Sequence, residues 1–392
     1  MSDASMTRTL TDQEQEFREL LTRVAPGSAE RERERRLLFD EVAELRGLGF
    51  GALRLPVEAG GAGASLETLF SQIIDLSAAD PNLGHLWRGH VAFVEGLLFD
   101  GSDAPRRWTD RVAAGDLVGN AQSERQETAA ITTSLHRDSG GITLTGTKYY
   151  TTGSIYADWI HLAALDGDER VGVTVSTKHD GVRSVDDWDG FGQPLTGSGT
   201  TTFDSVPVDP RDIALSSDDE ALWPYLGSIF QLHLIAVVAG IAQRALDDTV
   251  AFVLPRRRTF GFAGETLPRE DPLVQLVVGE LSGTAHTARR LVLSVARDLE
   301  DAVRRGSAPE ELRELQLDVY RLQEIVPRLV LEATSRLFEV GGATAVSMRF
   351  ALDRHWRNVR TIASHNPVAQ RTRAIGQLEL LGTLPEWKAP GK

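Results

Sequence analysis

No cysteine occurs anywhere in the 392 residues. Disulfides, thiolate nucleophiles, iron–sulfur clusters and cysteine zinc sites are therefore excluded. Also missing are GxGxxG after a strand, GxxxxGK[ST], HExxH and GxSxG, which leaves no fingerprint for nicotinamide binding, a phosphate loop, a zinc protease or a nucleophile elbow. No uninterrupted apolar run reaches the roughly 18–20 residues that a membrane span needs. The longest, Leu232–Ala242, contains His233 and Gly240 and reads as a buried core helix. The first residues, MSDASMTRTLTDQEQEF, are polar and acidic, without the apolar centre of a signal peptide. A cytoplasmic protein without a membrane partner is expected. Positive charge is short too: 42 Lys+Arg stand against 56 Asp+Glu, a net −14 that repels a phosphate backbone, so no nucleic-acid partner is expected.

What is present is an ordinary globular composition, 41% hydrophobic and 25% charged. Residues 11–50 carry helical spacing at Phe17, Leu20, Leu21 and Val24, and Thr11 followed by Glu14 has the form of a capping box. The run Glu30–Arg36 reads as a solvated helix face of mixed charge. Helices are expected at about 66–79 and 86–99. After Gly115 the texture changes to short β-like runs, Ile142–Leu144, Trp159–Leu165, Val171–Val175 and Thr200–Phe203, separated by Gly, Asp, Ser and Thr. Long helical patterns return over about 221–253, 271–303, 309–339, 347–363 and 367–381. The layout is α+β in three parts: an N-terminal helical domain (1–116), a middle β domain (117–215) and a C-terminal helical bundle (216–392).

The nine histidines are scattered. His85 and His90 are five apart, on different faces of any helix, and make a poor metal pair, so no metal site is expected. Gly197-Ser-Gly-Thr-Thr-Thr202 has the composition of a phosphate-cradling loop, although a lone Gly/Ser/Thr loop is more often a plain turn. Arg256-Arg-Arg258 is a local cation cluster that reads as solvated or as a phosphate contact.

Five segments nevertheless fall in a familiar order. Asn120-Ala-Gln-Ser-Glu124, Gly146-Thr-Lys-Tyr-Tyr-Thr-Thr-Gly153, Phe203-Asp-Ser-Val-Pro-Val208, Arg258-Thr-Phe-Gly261 and Gly341-Gly342 resemble the acyl-CoA dehydrogenase superfamily. The resemblance covers about residues 11–385 and implies N-terminal helices, a middle β-barrel, a C-terminal four-helix bundle and usually a homotetramer with flavin between domains and subunits. Ala78–Leu86, Val185–Gly192, Gly197–Phe203 and Asp353–Thr361 leading into Ser364-His-Asn-Pro-Val368 are similar to the superfamily's flavin-dependent monooxygenases, typified by dibenzothiophene monooxygenase.

That subgroup implies a two-component enzyme. A separate NAD(P)H:flavin reductase supplies FMNH2, and O2 is used, through a flavin C4a-hydroperoxide, to oxygenate a small, heteroaromatic sulfur or nitrogen compound. The alternative is an FAD-dependent acyl-CoA dehydrogenase. Several dehydrogenases carry a Glu base where this chain reads Ala363-Ser-His-Asn-Pro367, while others draw it from an earlier helix. By the same resemblance Asn120 contacts flavin and substrate, and Thr152 faces the ring near N5. Trp188 walls the flavin, though it reads equally well as a core tryptophan. Ser198 lines the phosphate end, and Arg258 reaches a flavin phosphate of a neighbouring subunit. His85 and His365 are the imidazoles of the substrate cavity and, with Thr152, the expected catalytic residues; His90 receives no role. Thr344 stands where relatives show a phosphate-holding Arg, which implies either a lower affinity for the cofactor or substitution by Arg349 or Arg373.

Overall fold

The computed structural model describes residues 10–100, 106–125, 131–214, 219–258 and 266–383. Among the described residues seven α-helices precede the sheet: α1 (Leu10–Val24), α2 (Ser28–Glu34), α3 (Phe39–Gly47), α4 (Leu66–Ala79), α5 (Pro81–His85), α6 (Arg88–Asp100) and α7 (Arg106–Ala113). Ser65 starts α4 by accepting the Thr68 N–H at 3.0 Å. Thr11 is no cap, since α1 already includes Leu10.

The strands are β1 (Val118–Ala121), β2 (Ser134–Asp138), β3 (Gly141–Lys148), β4 (Trp159–Asp166), β5 (Glu169–Ser176), β6 (Val182–Ser184), β7 (Thr201–Pro207) and β8 (Ile213–Ala214). They form one mixed sheet in the order β6-β7-β3-β2-β4-β5-β8, with β1 parallel to β4 in the register Asn120↔His161. Leu144, Ile160, Leu162, Val173 and Phe203 make its own apolar core. The four β-like runs lie in β3, β4, β5 and β7. The short strands β1, β2, β6 and β8 have too few apolar positions to show an alternation.

Five helices follow: α8 (Leu222–Val253), α9 (Pro272–Arg305), α10 (Pro309–Arg336), α11 (Asp353–Ala363) and α12 (Val368–Leu381). Asp271 caps α9 through the Leu273 N–H at 2.9 Å, with Pro272 at its first position. α8 is long and apolar enough to cross a bilayer, but residues 232–242 are all buried, and it packs against α4, α9 and α10. N- and C-terminal helices share one hydrophobic core through Ile73, Leu76, Ile235 and Val292. The helix expected over 347–363 begins only at Asp353, because Ala351 turns the chain with φ +50°.

The solvated-face reading of Glu30–Arg36 holds at Glu30 and Arg33–Arg36, which are exposed, and fails at two positions. Arg31 and Glu32 are buried, and Arg31 pairs with Asp80 at 2.8 Å. Glu32 accepts from Asn358 Nδ2 at 3.0 Å, and Arg35 reaches Asp186 at 2.9 Å. Charge alternation hid a helix that ties α5, α11 and the sheet loops together.

Candidate active site

Asp80 is fully buried between Arg31 and α5, where it accepts the Asn82 N–H at 3.1 Å and so starts the turn that carries His85. Asn82 Oδ1 in turn accepts the Leu195 N–H at 3.1 Å. Gly153 N–H donates to Thr196 O at 2.9 Å, and Tyr156 Oη–H donates to Leu195 O at 2.6 Å. Residues 193–199 are thus clamped between α5 and the segment after β3. Gly153 has φ +81°, and a Cβ there would lie 2.4 Å from the Leu86 carbonyl, so only glycine permits this approach. Gly89 plays the same part against Asn120, whose Cβ would be 2.4 Å from an added methyl.

Thr152 and Ser198, both buried, meet at 2.8 Å between hydroxyl oxygens, and Ser198 meets Thr196 at 2.8 Å. Thr196 donates to the Gln193 carbonyl at 3.0 Å. A carbonyl only accepts, so the proton order is fixed along the whole chain. Thr196 gives its hydrogen to Gln193, Ser198 gives its own to Thr196, and Thr152 gives its own to Ser198. The Thr152 oxygen is left as an acceptor.

Gln193 adopts φ +56° and is held there by its N–H to Asn358 Oδ1 at 2.7 Å. Its Oε1 accepts from His85 Nδ1–H at 3.0 Å, which leaves the buried His85 Nε2 a lone pair without partner. Burial, then the nearby Arg88, push the His85 pKa down to about 4. Arg88 donates from Nη1 to His365 Nε2 at 3.2 Å. His365 therefore carries its proton on Nδ1. By surface area its side chain is exposed, yet it is ringed by protein atoms. That crowding, then Arg88 and His85, hold its pKa well below the ordinary value, against a hydrogen bond with the Asn366 side chain that works upward. At neutral pH both imidazoles are neutral, one offering an acceptor and the other a donor.

Six of the seven expected residues touch this assembly or the segments that clamp it. Asn120 lies on β1 against Gly89, its carbonyl 3.5 Å from Ser154 Oγ. Trp188 is half-buried, donates from Nε1 to Gly192 O at 3.0 Å and packs against Tyr149 and Tyr150. Arg258 is different: it is exposed in the connection between α8 and α9 and has no hydrogen bond or ion pair among the described residues; Thr259–Gly261 lie outside them. Thr344 and Arg349 are exposed as well. His90 is structural, its Nε2–H on Gly51 O at 2.9 Å and its Nδ1 accepting the Val118 N–H at 3.1 Å. Sequence reasoning missed Arg88, Gln193, Asn358 and His233, whose Nε2–H donates to Gly84 O at 2.9 Å. An Arg beside Leu86 and Trp87, between two histidines, was the visible signal.

Two family descriptions match the chain: "Acyl-CoA dehydrogenase, N-terminal domain" over residues 8–116 and "Acyl-CoA dehydrogenase, C-terminal domain" over residues 232–370. Dibenzothiophene monooxygenase of Rhodococcus qingshengii is 29% identical over 381 residues, which span 92% of this chain and 89% of the relative. The probable FMNH2-dependent monooxygenase SfnC of Pseudomonas putida is 28% identical over 350 residues, 86% of each. Among solved structures, TdsC of Paenibacillus sp. A11-2 in complex with FMN and indole superposes with a TM-score of 0.88 at 29% identity, over 95% of this chain and 98% of that one.

Proposed function

We propose that this chain, which belongs to the acyl-CoA dehydrogenase superfamily, is a flavin monooxygenase that receives FMNH2 from a separate reductase and uses O2 to oxygenate a small sulfur compound. One observation carries the reading against a dehydrogenase. The group His85–Arg88–His365 forms no hydrogen bond or ion pair with a carboxylate among the described residues, and Ala363–Pro367 carries no acid where several dehydrogenases place the base for an α-proton. Two neutral imidazoles stand there instead.

The donor set fits a flavin ring, which mixes N–H donors and carbonyl acceptors. Thr152 presents an oxygen acceptor, and the buried His85 Nε2 and Gln193 Nε2 lack partners. Thr152, Ser198 and Asn120 would hold the ring, and Trp188 would wall it. The bound reduced flavin supplies the electrons that activate O2. The chain's own residues would exclude water, accept a hydrogen at His85 Nε2 and donate a hydrogen bond from His365 Nδ1–H. Exposed apolar side chains on the C-terminal helices, Leu273, Leu276, Leu380 and Leu381, support a homotetramer in which Arg258 serves a neighbour's cofactor.

Titration with FMN and FAD, followed by anaerobic FMNH2 loading and a pulse of 18O2 with sulfur heterocycles, tests the reading. One labelled oxygen in the product and a preference for FMN are expected. A preference for FAD, with reduction of the flavin by an acyl thioester, would establish the dehydrogenase instead.

A further inference from the structure

Arg88 has more hydrogen-bonding capacity than the site so far uses. It opens α6 three residues after His85 and is 7% exposed. A guanidinium has five N–H hydrogens. The Nε hydrogen goes to Phe230 O at 2.9 Å and one Nη1 hydrogen to His365, while the Phe230 ring lies 4.9 Å from Cζ. Nη2 makes no hydrogen bond, and no carboxylate pairs with the group, among the described residues. Burial lowers its pKa only to about 10, so it is a cation at neutral pH. A buried cation without a counter-ion is costly, and the usual remedy is an anion supplied from elsewhere. Independently, two side chains more than nine-tenths buried leave polar atoms orphaned in the same assembly, His85 at Nε2 and Gln193 at Nε2.

We infer that Arg88 recognises an anionic group on the substrate, so that the chain acts on small organosulfur acids rather than on uncharged thioethers. The inference rests on the monooxygenase reading. Nη2 and the second Nη1 hydrogen form a planar donor pair suited to the two oxygens of a carboxylate, sulfinate or sulfonate. Anchored there, the substrate's sulfur falls beside the imidazoles that Arg88 itself orients through His365. An uncharged polycyclic thioether would cover the guanidinium and leave it unpaired.

The test compares (methylthio)acetate with its uncharged counterpart 2-(methylthio)acetamide by calorimetry on the FMN-loaded protein. The carboxylate is expected to bind at least ~10-fold more tightly, the scale of a charge-assisted pair. Arg88→Gln should remove that preference and leave amide affinity within a factor of about 3. Should Arg88→Gln fail to fold, Arg88→Lys is judged on the same ratio, which a point charge without the fork should reduce but not abolish. Equal affinities in the wild type, or an unchanged ratio in either variant, overturn the inference. So does a variant that keeps the ratio but weakens anaerobic FMNH2 binding, for the cation then serves the reduced flavin. The ratio is also measured without FMN, so failure of the flavin reading is distinguishable from failure of this one.

Discussion

Two arginines of the N-terminal part of the chain are taken out of water, and they are treated in opposite ways. Arg54 donates to Glu95 at 2.6 Å and to Glu300 at 3.2 Å, and Glu95 accepts in addition from Tyr225 Oη–H at 2.6 Å. Arg88 has a carbonyl, an imidazole and a ring face, and no acid. The carboxylates, working against burial, raise the pKa of Arg54; burial alone lowers that of Arg88. Arg54 closes a circuit joining α6, α8 and α9, so its charge is spent on holding helices together. Arg88 stands at the end of an open one, where the last partner has to arrive by diffusion. A polar group complete within the fold serves stability, while one left incomplete at the junction of several elements marks where a ligand is expected.

The largest contrast should appear in stability. Arg54→Ala leaves the buried Glu95 without its cation, while Glu300 keeps Arg304 at 2.9 Å, and should cost about 3–5 kcal/mol. Arg88→Met removes an unpaired charge in favour of a similar apolar volume and should be neutral or stabilising. Urea unfolding of both variants decides; equal losses would erase the distinction.

Next in size is turnover. His365 is exposed, so His365→Ala should keep the fold and FMN binding. Its turnover should nevertheless fall roughly 10²–10⁴-fold, the range supplied by acid–base groups, while hydrogen peroxide release rises as reducing equivalents are wasted. His365 is tied into the site by its side chain, which takes a hydrogen from Arg88. Normal coupling in the variant would remove it from the chemistry.

The arrangement of the molecule was largely legible, because its signals are periodic. The apolar stripes of α8, α9 and α10 and the change of texture after Gly115 announced helices, sheet, helices. The site was legible in part. His85, Thr152 and Ser198 stand in motifs, and the structure joins them through one chain of hydrogen bonds. Gln193 and Asn358 could not be found that way. They act because chain segments 165 residues apart meet at 2.7 Å, and neither residue type announces chemistry by itself. Arg31 and Glu32 misled because alternating charge has the same pattern whether it faces water or is buried in pairs.

A third contrast concerns histidines. Burial pushes His85, His90, His161 and His355 down to about 4 and His233 to about 3. The unfolded chain, with ordinary pKa values near 6.5, then binds more protons than the fold below that pH. Stability should be flat from pH 8.5 to 7 and fall on acidification from about 6.5 toward 4. Each such histidine contributes up to about 1.4 kcal/mol per pH unit. His233→Leu removes one titrating group that is fully buried in α8, and should flatten the acid limb by about that much between pH 6 and 5. Urea midpoints across pH measure it. An unaltered slope would mean that His233 does not stay neutral in the fold.

The smallest effect should be at Thr152, where the comparison of complete with incomplete circuits comes down to one proton. Thr152 spends its hydrogen on Ser198, because the chain runs through Thr196 to a carbonyl that cannot donate. Its oxygen can therefore accept from a ring N–H but cannot donate to a bare ring nitrogen without reversing that order. Reduction of a flavin places a hydrogen on N5, the atom this residue is proposed to face. Thr152 should then favour the reduced ring over the oxidised one. Thr152→Val, which keeps the shape and loses the oxygen, should weaken FMNH2 by roughly 2–10-fold relative to FMN, the worth of one neutral hydrogen bond. For a two-electron couple that is a drop of up to about 30 mV in the potential of the bound flavin. Thr196→Val should act in the same direction and more weakly, by freeing Ser198 to turn its hydrogen toward Thr152. A potential that stays put in Thr152→Val, in protein that still binds FMN, would show that the hydroxyl chain ends in packing and not at the cofactor.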